Sequence, residues 1–591
     1  VRHARRVVLV SYDGVGADLA WSWLEEGVLS EPGGVAGMAA AGTSARRVRM
    51  VNPTLTSVNH ISLATGAQPG STGIVSNYFH RPGQKITNGV SGFSASIGVE
   101  TLWEAVRRQG RRVGVLTWPG ADGANERRRG DFGLIWPARP LARSEILVLD
   151  PHEAGHGAVL PSHDELPPLV WTVTLQLGGA EPAGAPFTVT VVDGNPDGVR
   201  AYDTVAVTPP GEASPTILGR NGWFPVSVRA TAPGDERPHP WGAWCKVLHL
   251  DTHAGTVRLY RGEVHRVRAY PDAFERRLEE AVGFWPGPPD RHGLGAWWLD
   301  VTRGVDLDTF LEQLERLDRY LDRVAAFVVA NEDFDLLMAY HPTPDEYEHI
   351  GLIVDQRQWA WSPGTALAAA EGLRRVGRSL DRSVASLWQA LDPERDALVV
   401  VSDHGLVPLH DVVNVNTVLA GAGLVKVDDG GKRPRAAADT PMLAFASGGC
   451  AHLYLNLEGR EPGGVVRPEE APELLRRAAK ALADVVVDGE PAIERIFTRD
   501  QAVEIGLGSP NAGDLVVFAR PGWTLSGRLG GKAVEPSRYY GQHGYLNTHD
   551  ALCGILFARG TGVLHRELGE VPATSIAPMV AHWLGIAPPG H

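Results

Sequence analysis

A chain of 591 residues, 43% apolar and 21% charged, has room for more than one core and the balance of a globular protein. Its formal net charge of −13 excludes a general binder of nucleic-acid polymers or anionic membranes, which would present a basic face, but not a small phosphoester substrate, because bound metals invert the local field. Cys245, Cys450 and Cys553 are odd in number and far apart, which excludes a disulfide framework and a cysteine-based zinc module; no apolar run reaches membrane-spanning length.

The first predicted strand is Val7–Tyr12, an apolar run that ends at Asp13-Gly14 as a buried parallel strand entering a loop does. The chain begins at Val1 rather than Met. A removed signal peptide would make the protein secreted or periplasmic, and a trimmed chain would fit the cytoplasm. A helical pattern follows near Leu19–Glu26. Val99–Gln109 is amphipathic at helical spacing and stops at Gly110; Arg112–Thr117 is the next strand, closed by Trp118-Pro119-Gly120. This alternation predicts an α/β fold with a doubly wound, mostly parallel sheet.

The helical period then disappears from about Ile146 to Asp272. Short β-rich runs stand at Val170–Leu177, Phe187–Val192, Thr204–Thr208, Val226–Ala230, Lys246–Leu250 and Thr256–Tyr260. They predict an inserted, mainly antiparallel domain over 146–300 that interrupts a core made of 1–145 and 301–591. Its expected roles are lid, specificity wall or partner surface. Helix and strand alternate again afterwards: Leu307–Ala326 and Ala366–Leu391 as helices, Asp335–Tyr340 and Leu398–Ser402 as strands. Strands at Ala451–Leu457, Asp514–Ala519 and Ala551–Ala558 and a helix at Ala573–Leu584 complete the chain, with a polar loop expected at Asp428–Asp439.

Acidic and imidazole side chains gather after these strands. Asp13 ends the first. Asp345 and His349 follow Tyr340 in P-D-E-Y-E-H, and lie on one face if that segment is helical. Asp403 and His404 end A-L-V-V-V-S-D-H-G, and His543 stands in Y-G-Q-H-G-Y. Open α/β sheets place active sites at the carboxyl ends of their strands. Carboxylate oxygen and imidazole nitrogen suit zinc, and this set suits two divalent ions that clamp a transferring phosphoryl group. Hydroxyl nucleophiles are on offer in N-P-T-L-T-S-V-N-H, residues 52–60, followed by a helix-like stretch from His60. His152-Glu153-Ala154-Gly155-His156 fits a zinc-protease spacing, but its glycines and Pro161 oppose the helix that chemistry needs.

In this order the motifs resemble the alkaline phosphatase superfamily, most closely its nucleotide pyrophosphatase/phosphodiesterase branch. They are V-S-Y-D-G at 10–14, P-T-L-T-S-V-N-H at 53–60 continuing to Asn77, L-W-E-A-V-R-R-Q-G…L-T-W-P-G at 102–120, P-D-E-Y-E-H at 344–349, S-D-H-G at 402–405 and G-Q-H-G-Y at 541–545. Each is weak alone; the ordered set is specific and spans all but the insert. The resemblance implies an alkaline phosphatase-like core holding two divalent metals, zinc with manganese as the alternative. It implies Thr56 as a nucleophile that becomes phosphorylated. Asp13, Thr56, Asp403 and His404 would be ligands of one metal, and Asp345, His349 and His543 of the other. Asn77 would donate to a phosphoryl oxygen and Tyr340 would line the leaving-group pocket. The implied activity is a phosphodiesterase or nucleotide pyrophosphatase acting on a small phosphoester. The alternatives are a phosphonoacetate hydrolase-like or phosphomonoesterase activity, or a phosphotransferase using the same site. The chain departs from the branch at Ser57 and Val58, where an aromatic and a proline are usual, at Gly70-Ser71-Thr72-Gly73, and at Leu546, where Asp is usual. Oligomeric state is not legible in the sequence.

Overall fold

The apolar run after Arg6 becomes the strand Arg6–Tyr12, buried almost throughout, as a run without polar alternation requires. The computed structural model describes residues 2–137, 139–157, 160–218, 222–290, 304–428 and 430–590. They divide into two compact units, Val1–Gly133 with Val328–His591, and Leu134–Phe327.

In the first unit the main sheet runs, strand beside strand, through Val113–Leu116, Leu336–His341, Arg6–Tyr12, Asp396–Val401, Gly554–Gly560, Thr43–Arg49 and Arg566–Pro572. The first four are parallel, Gly554–Gly560 is antiparallel to both its neighbours, and the last two are parallel to each other. Ser11 pairs with Tyr340 on one side and Val401 on the other. Asp13, the helix Thr343–Gly351 and Asp403-His404 therefore leave the sheet from one carboxyl edge.

Helices cover both faces of this sheet. On one, Val58 and Ile61 of the helix Thr56–Thr65 and Val580 of Ile576–Leu584 pack with Val7, Leu9 and Val399. Leu102–Arg108 joins them, its start fixed by a capping box between Thr101 and Glu104. Towards the other face the Tyr12 hydroxyl donates to Ser383 of the long helix Pro363–Ala390. A separate antiparallel sheet comprises Met442–Ser447, Cys450–Leu455, Leu515–Ala519 and Ile493–Thr498. A short ladder matters more for the site. Val407–Asn414, which starts just after His404, pairs with Gly541–Gln542, and this brings the following His543 back beside His404.

The second unit is a β-sandwich of two antiparallel sheets. One holds Thr216–Leu218, Thr204–Thr208, Gly184–Val192 and Leu169–Gln176; the other holds Trp223–Ala230, His239–Leu250, Val257–Arg261 and Glu145–Leu149. Inward residues of both, among them Phe187, Val189, Val226 and Val247, form one core. The unit is wider than the expected 146–300. The helix Leu307–Asn331, expected in the core fold, begins here, where Lys246 Nζ donates to Thr309 and Glu312 at 2.9 and 2.6 Å. The expected loop at 428–439 includes a small pairing of Val427–Asp428 with Arg435–Ala436. Among the described residues no helix is long and apolar enough to cross a membrane.

Candidate metal centre

The loops after the three parallel strands are tied to one another by their backbones. Asp13 donates from its amide to His341 O and accepts from the Asp345 amide, and Gly14 donates its amide to Asp403 Oδ1 at 3.2 Å. Gly14 is at φ +80°, and a Cβ there would stand 2.8 Å from the Asp345 Cα, so two ligand-bearing loops meet at a position only glycine fits. The helix Thr343–Gly351 has Pro344 in its first turn and carries Asp345 and His349 one turn apart on one face.

Two groups of ligand atoms result. Those of Asp13, Asp403 and His404 all lie within 4.8 Å of one another, as do those of Asp345, His349 and His543, and all six residues are buried. The Thr56 hydroxyl is 3.3 Å from His404 Nε2, so it belongs to the first group. The rings of His404 and His543 stack at 3.7 Å and 13°, which sets the groups side by side. All seven residues expected as ligands are thus in one place.

Their chemistry fits cations. His349 Nδ1 lies 2.8 Å from Gly541 O and His543 Nδ1 lies 3.0 Å from Thr54 O. A carbonyl only accepts, so Nδ1 carries a proton in both rings and each Nε2 faces Asp345, 3.3 and 3.5 Å from its oxygens. Nε2 is thus the nitrogen free to take a metal, beside a carboxylate that would share it. Asp13 Oδ1, Asp345 Oδ1 and Asp403 Oδ2 are buried and accept no well-aligned hydrogen bond, although imidazole nitrogens lie within 3.0 to 3.5 Å. Burial, with the nearby charges of Asp403 and Asp345, pushes the Asp13 carboxyl well above its usual range. Against the upward push of burial, His404 and His60 hold Asp403 well below its usual range, and His349 and His543 hold Asp345 low. Burial, reinforced by His404, holds His543 down to about 3, in the neutral form a ligand needs.

Thr56 is the first residue of its helix, four residues earlier than the sequence pattern indicated, and all ten residues of that helix are buried. The N-cap residue Leu55 makes no side-chain cap, and Asn77 Oδ1 takes its place from outside the helix by accepting from the Ser57 amide at 2.9 Å. The Ser57 hydroxyl donates to the same oxygen at 2.8 Å, which leaves the Asn77 amino group as the end available to a substrate. Tyr340, for which the resemblance implied a place in the leaving-group pocket, lies against the first group. Its hydroxyl donates to Asp13 Oδ2 at 2.6 Å and its ring meets His60 edge-on at 5.1 Å, so it holds a ligand carboxylate in place. Sequence reading gave no role to His60. Its Nδ1 is 2.9 Å from Thr56 O and 3.2 Å from Asp403 Oδ2, and its Nε2 is 2.9 Å from Ser11 Oγ. The signal was its place one helical turn after Thr56, which puts both on one face.

Other clusters are weaker. His239, Glu275 and Glu279 come together in the β-sandwich unit, but Arg237 and Arg266 already neutralise the two carboxylates. His152 and His156 are exposed, and after a single turn at Pro151–Glu153 the backbone extends to pair Gly155 with Val170, so no helix aligns them.

Venom phosphodiesterase 2 of Crotalus adamanteus is 28% identical over 120 residues, 20% of this chain and 14% of that protein. Human ectonucleotide pyrophosphatase/phosphodiesterase family member 1 is 30% identical over 119 residues, 20% of this chain and 12% of that protein. The match thus spans well under a quarter of these relatives' length. Murine ectonucleotide pyrophosphatase/phosphodiesterase 5 aligns over 99% of this chain and 96% of its own, at a TM-score of 0.48 and 13% identity. The sequence pattern of the type I phosphodiesterase/nucleotide pyrophosphatase family matches residues 7–160 and 239–546, most of the chain and all of the residues gathered at the centre. The chain belongs to that family.

Proposed function

We propose that this protein is a metal-dependent phosphodiesterase that works through a phosphothreonine at Thr56. The observation that carries the reading is the Thr56 hydroxyl, at the open end of a buried helix, 3.3 Å from His404 Nε2 and beside a second Asp/His group. Bound divalent ions, with zinc the best match to this nitrogen and oxygen set, would lower the pKa of the hydroxyl and neutralise charge on the transferring phosphoryl group. Thr56 Oγ1 attacks phosphorus and the leaving oxygen departs in line. The Asn77 amino group donates to a phosphoryl oxygen and the helix end favours the developing negative charge. His60 and Tyr340 fix Asp403 and Asp13 against movement during both steps. Water then hydrolyses the phosphothreonine, and two in-line displacements give net retention at phosphorus.

A small phosphodiester, such as a nucleotide diester, is the substrate class that suits the family. The test is one panel of bis-p-nitrophenyl phosphate, a monoester, a nucleotide diester and phosphonoacetate, run before and after chelation and with zinc or manganese restored. The expected result is metal-restored turnover, fastest on a diester, and its loss in Thr56→Ala with metal content retained. Full activity in that variant, or inversion at a chiral phosphorus, refutes the phosphothreonine. Preference for phosphonoacetate would move the substrate assignment to the carbon–phosphorus bond.

A further inference from the structure

The β-sandwich unit holds a cavity of about 410 Å³ beside Trp241. That volume is in the range of small-molecule sites, roughly 300 to 1,000 Å³. Two chain segments make its rim. Leu141 donates its amide to Val264 O at 2.8 Å and Ile135 donates to Arg268 O at 2.7 Å, so residues 135–142 and 264–268 lie side by side. Arg139 and Arg268 both line the cavity.

The charges around the cavity do not balance. Arg266 is neutralised by Asp235 at 2.9 Å and by Glu275 at 3.3 Å. His265 pairs with Glu263 at 2.9 Å. Among the described residues Arg139 and Arg268 make no ion pair or side-chain hydrogen bond, and no carboxylate but Asp235 lines the space. Trp241 forms a wall, 8% exposed, and its indole Nε1–H is buried with no acceptor. Prolines 137, 140 and 233 and Leu141 supply apolar walls.

We infer that this cavity is a second binding site, for a small molecule with an apolar body and two negative charges on oxygen. The two guanidiniums match a phosphate or a pair of carboxylates, which Arg engages through paired N–H donors.

The test is ¹⁹F NMR on the full chain labelled with 5-fluorotryptophan, with the Trp241 resonance among the 17 tryptophans assigned from Trp241→Phe. Phenylphosphonate and phthalate are the two dianionic probes, and benzamide is the uncharged control. The expected result is a saturable shift of the Trp241 resonance with at least one dianion and none with benzamide. The responding probe tells phosphate from dicarboxylate. Arg139→Ala with Arg268→Ala should weaken that binding at least tenfold at an unchanged melting temperature, since both side chains are exposed. A Trp241 resonance that stays still at about 10 mM of both dianions overturns the proposal, as does an equal response in the double arginine variant or to benzamide. None of these readouts depends on turnover at Thr56.

Discussion

Asn77 can turn only one end of its amide toward a substrate, because the Ser57 amide and hydroxyl both donate to its Oδ1. Ser57 stands where the resembling branch carries an aromatic, so the position gives up a contact surface and gains a hold on Asn77. The two residues should therefore fail by different amounts. Asn77→Ala removes a donor to the phosphoryl group, and loss of one such donor costs roughly 10²–10³ in kcat. Ser57→Ala removes one neutral hydrogen bond worth about 1 kcal/mol, which is a fall of about fivefold to tenfold. Steady-state kinetics on bis-p-nitrophenyl phosphate decides it. Equal losses in the two variants would show that Asn77 acts only through the loop's fold. At this scale the sequence named the residues that meet but not their supports. Asp13, Asp345, His349, Asp403, His404 and His543 are chemically conspicuous. His60, Ser57 and the carbonyls of Gly541 and Thr54 act through directions that residue type does not encode.

Elements that begin or end in a run of one period were legible, and those whose place depends on a distant partner were not. Arg6–Tyr12 and Asp396–Val401 are continuous apolar runs, and their parallel register puts Asp13 and Asp403 on one edge. The ladder of Val407 with Gln542 has only a few residues a side and no pattern of its own, yet it carries His543 to His404. The central strand Cys450–Leu455 acts in the same way on the Asn77 loop. His452 is buried there, its Nε2 donating to Val75 O at 3.1 Å and its Nδ1 accepting the Gly513 amide at 3.1 Å. Burial is the main cause that holds this imidazole down to about 4 in the folded protein, against about 6.5 when unfolded. A group depressed in this way takes up its proton more readily in the unfolded chain. Its contribution is whole above pH ~6.5 and is lost as pH falls toward ~4, to a total of about 3 kcal/mol. Urea melts from pH 7 to 4 should show that acid-side loss shrinking by about this amount in His452→Gln. A parallel pair of stability–pH curves would mean that His452 is already protonated in the fold.

Among the described residues, every one gathered at the candidate metal centre lies in Val1–Gly133 or Val328–His591. Three buried carboxylates crowd that centre, and burial with the charge of two of them pushes the third above its usual range, so the loops that carry them should be the least stable part of that unit without metal. A ligand bound only by the folded state stabilises it by RT ln(1 + [L]/Kd), about 4 kcal/mol at a thousandfold excess over Kd. Chelation should therefore loosen local structure where the ligands are before it loosens anything else. Hydrogen exchange read by mass spectrometry should show faster exchange in peptides over 11–16, 54–60, 402–408 and 541–546 after chelation, and recovery when zinc is restored. Peptides over the sandwich strands Gly184–Val192 and His239–Leu250 should exchange at an unchanged rate. The short ladder of Val407 and Pro408 with Gln542 and Gly541 should respond most, since it has few bonds of its own and joins His404 to His543. Uniform acceleration across both units would mean that the metals stabilise the whole chain rather than one edge of one sheet.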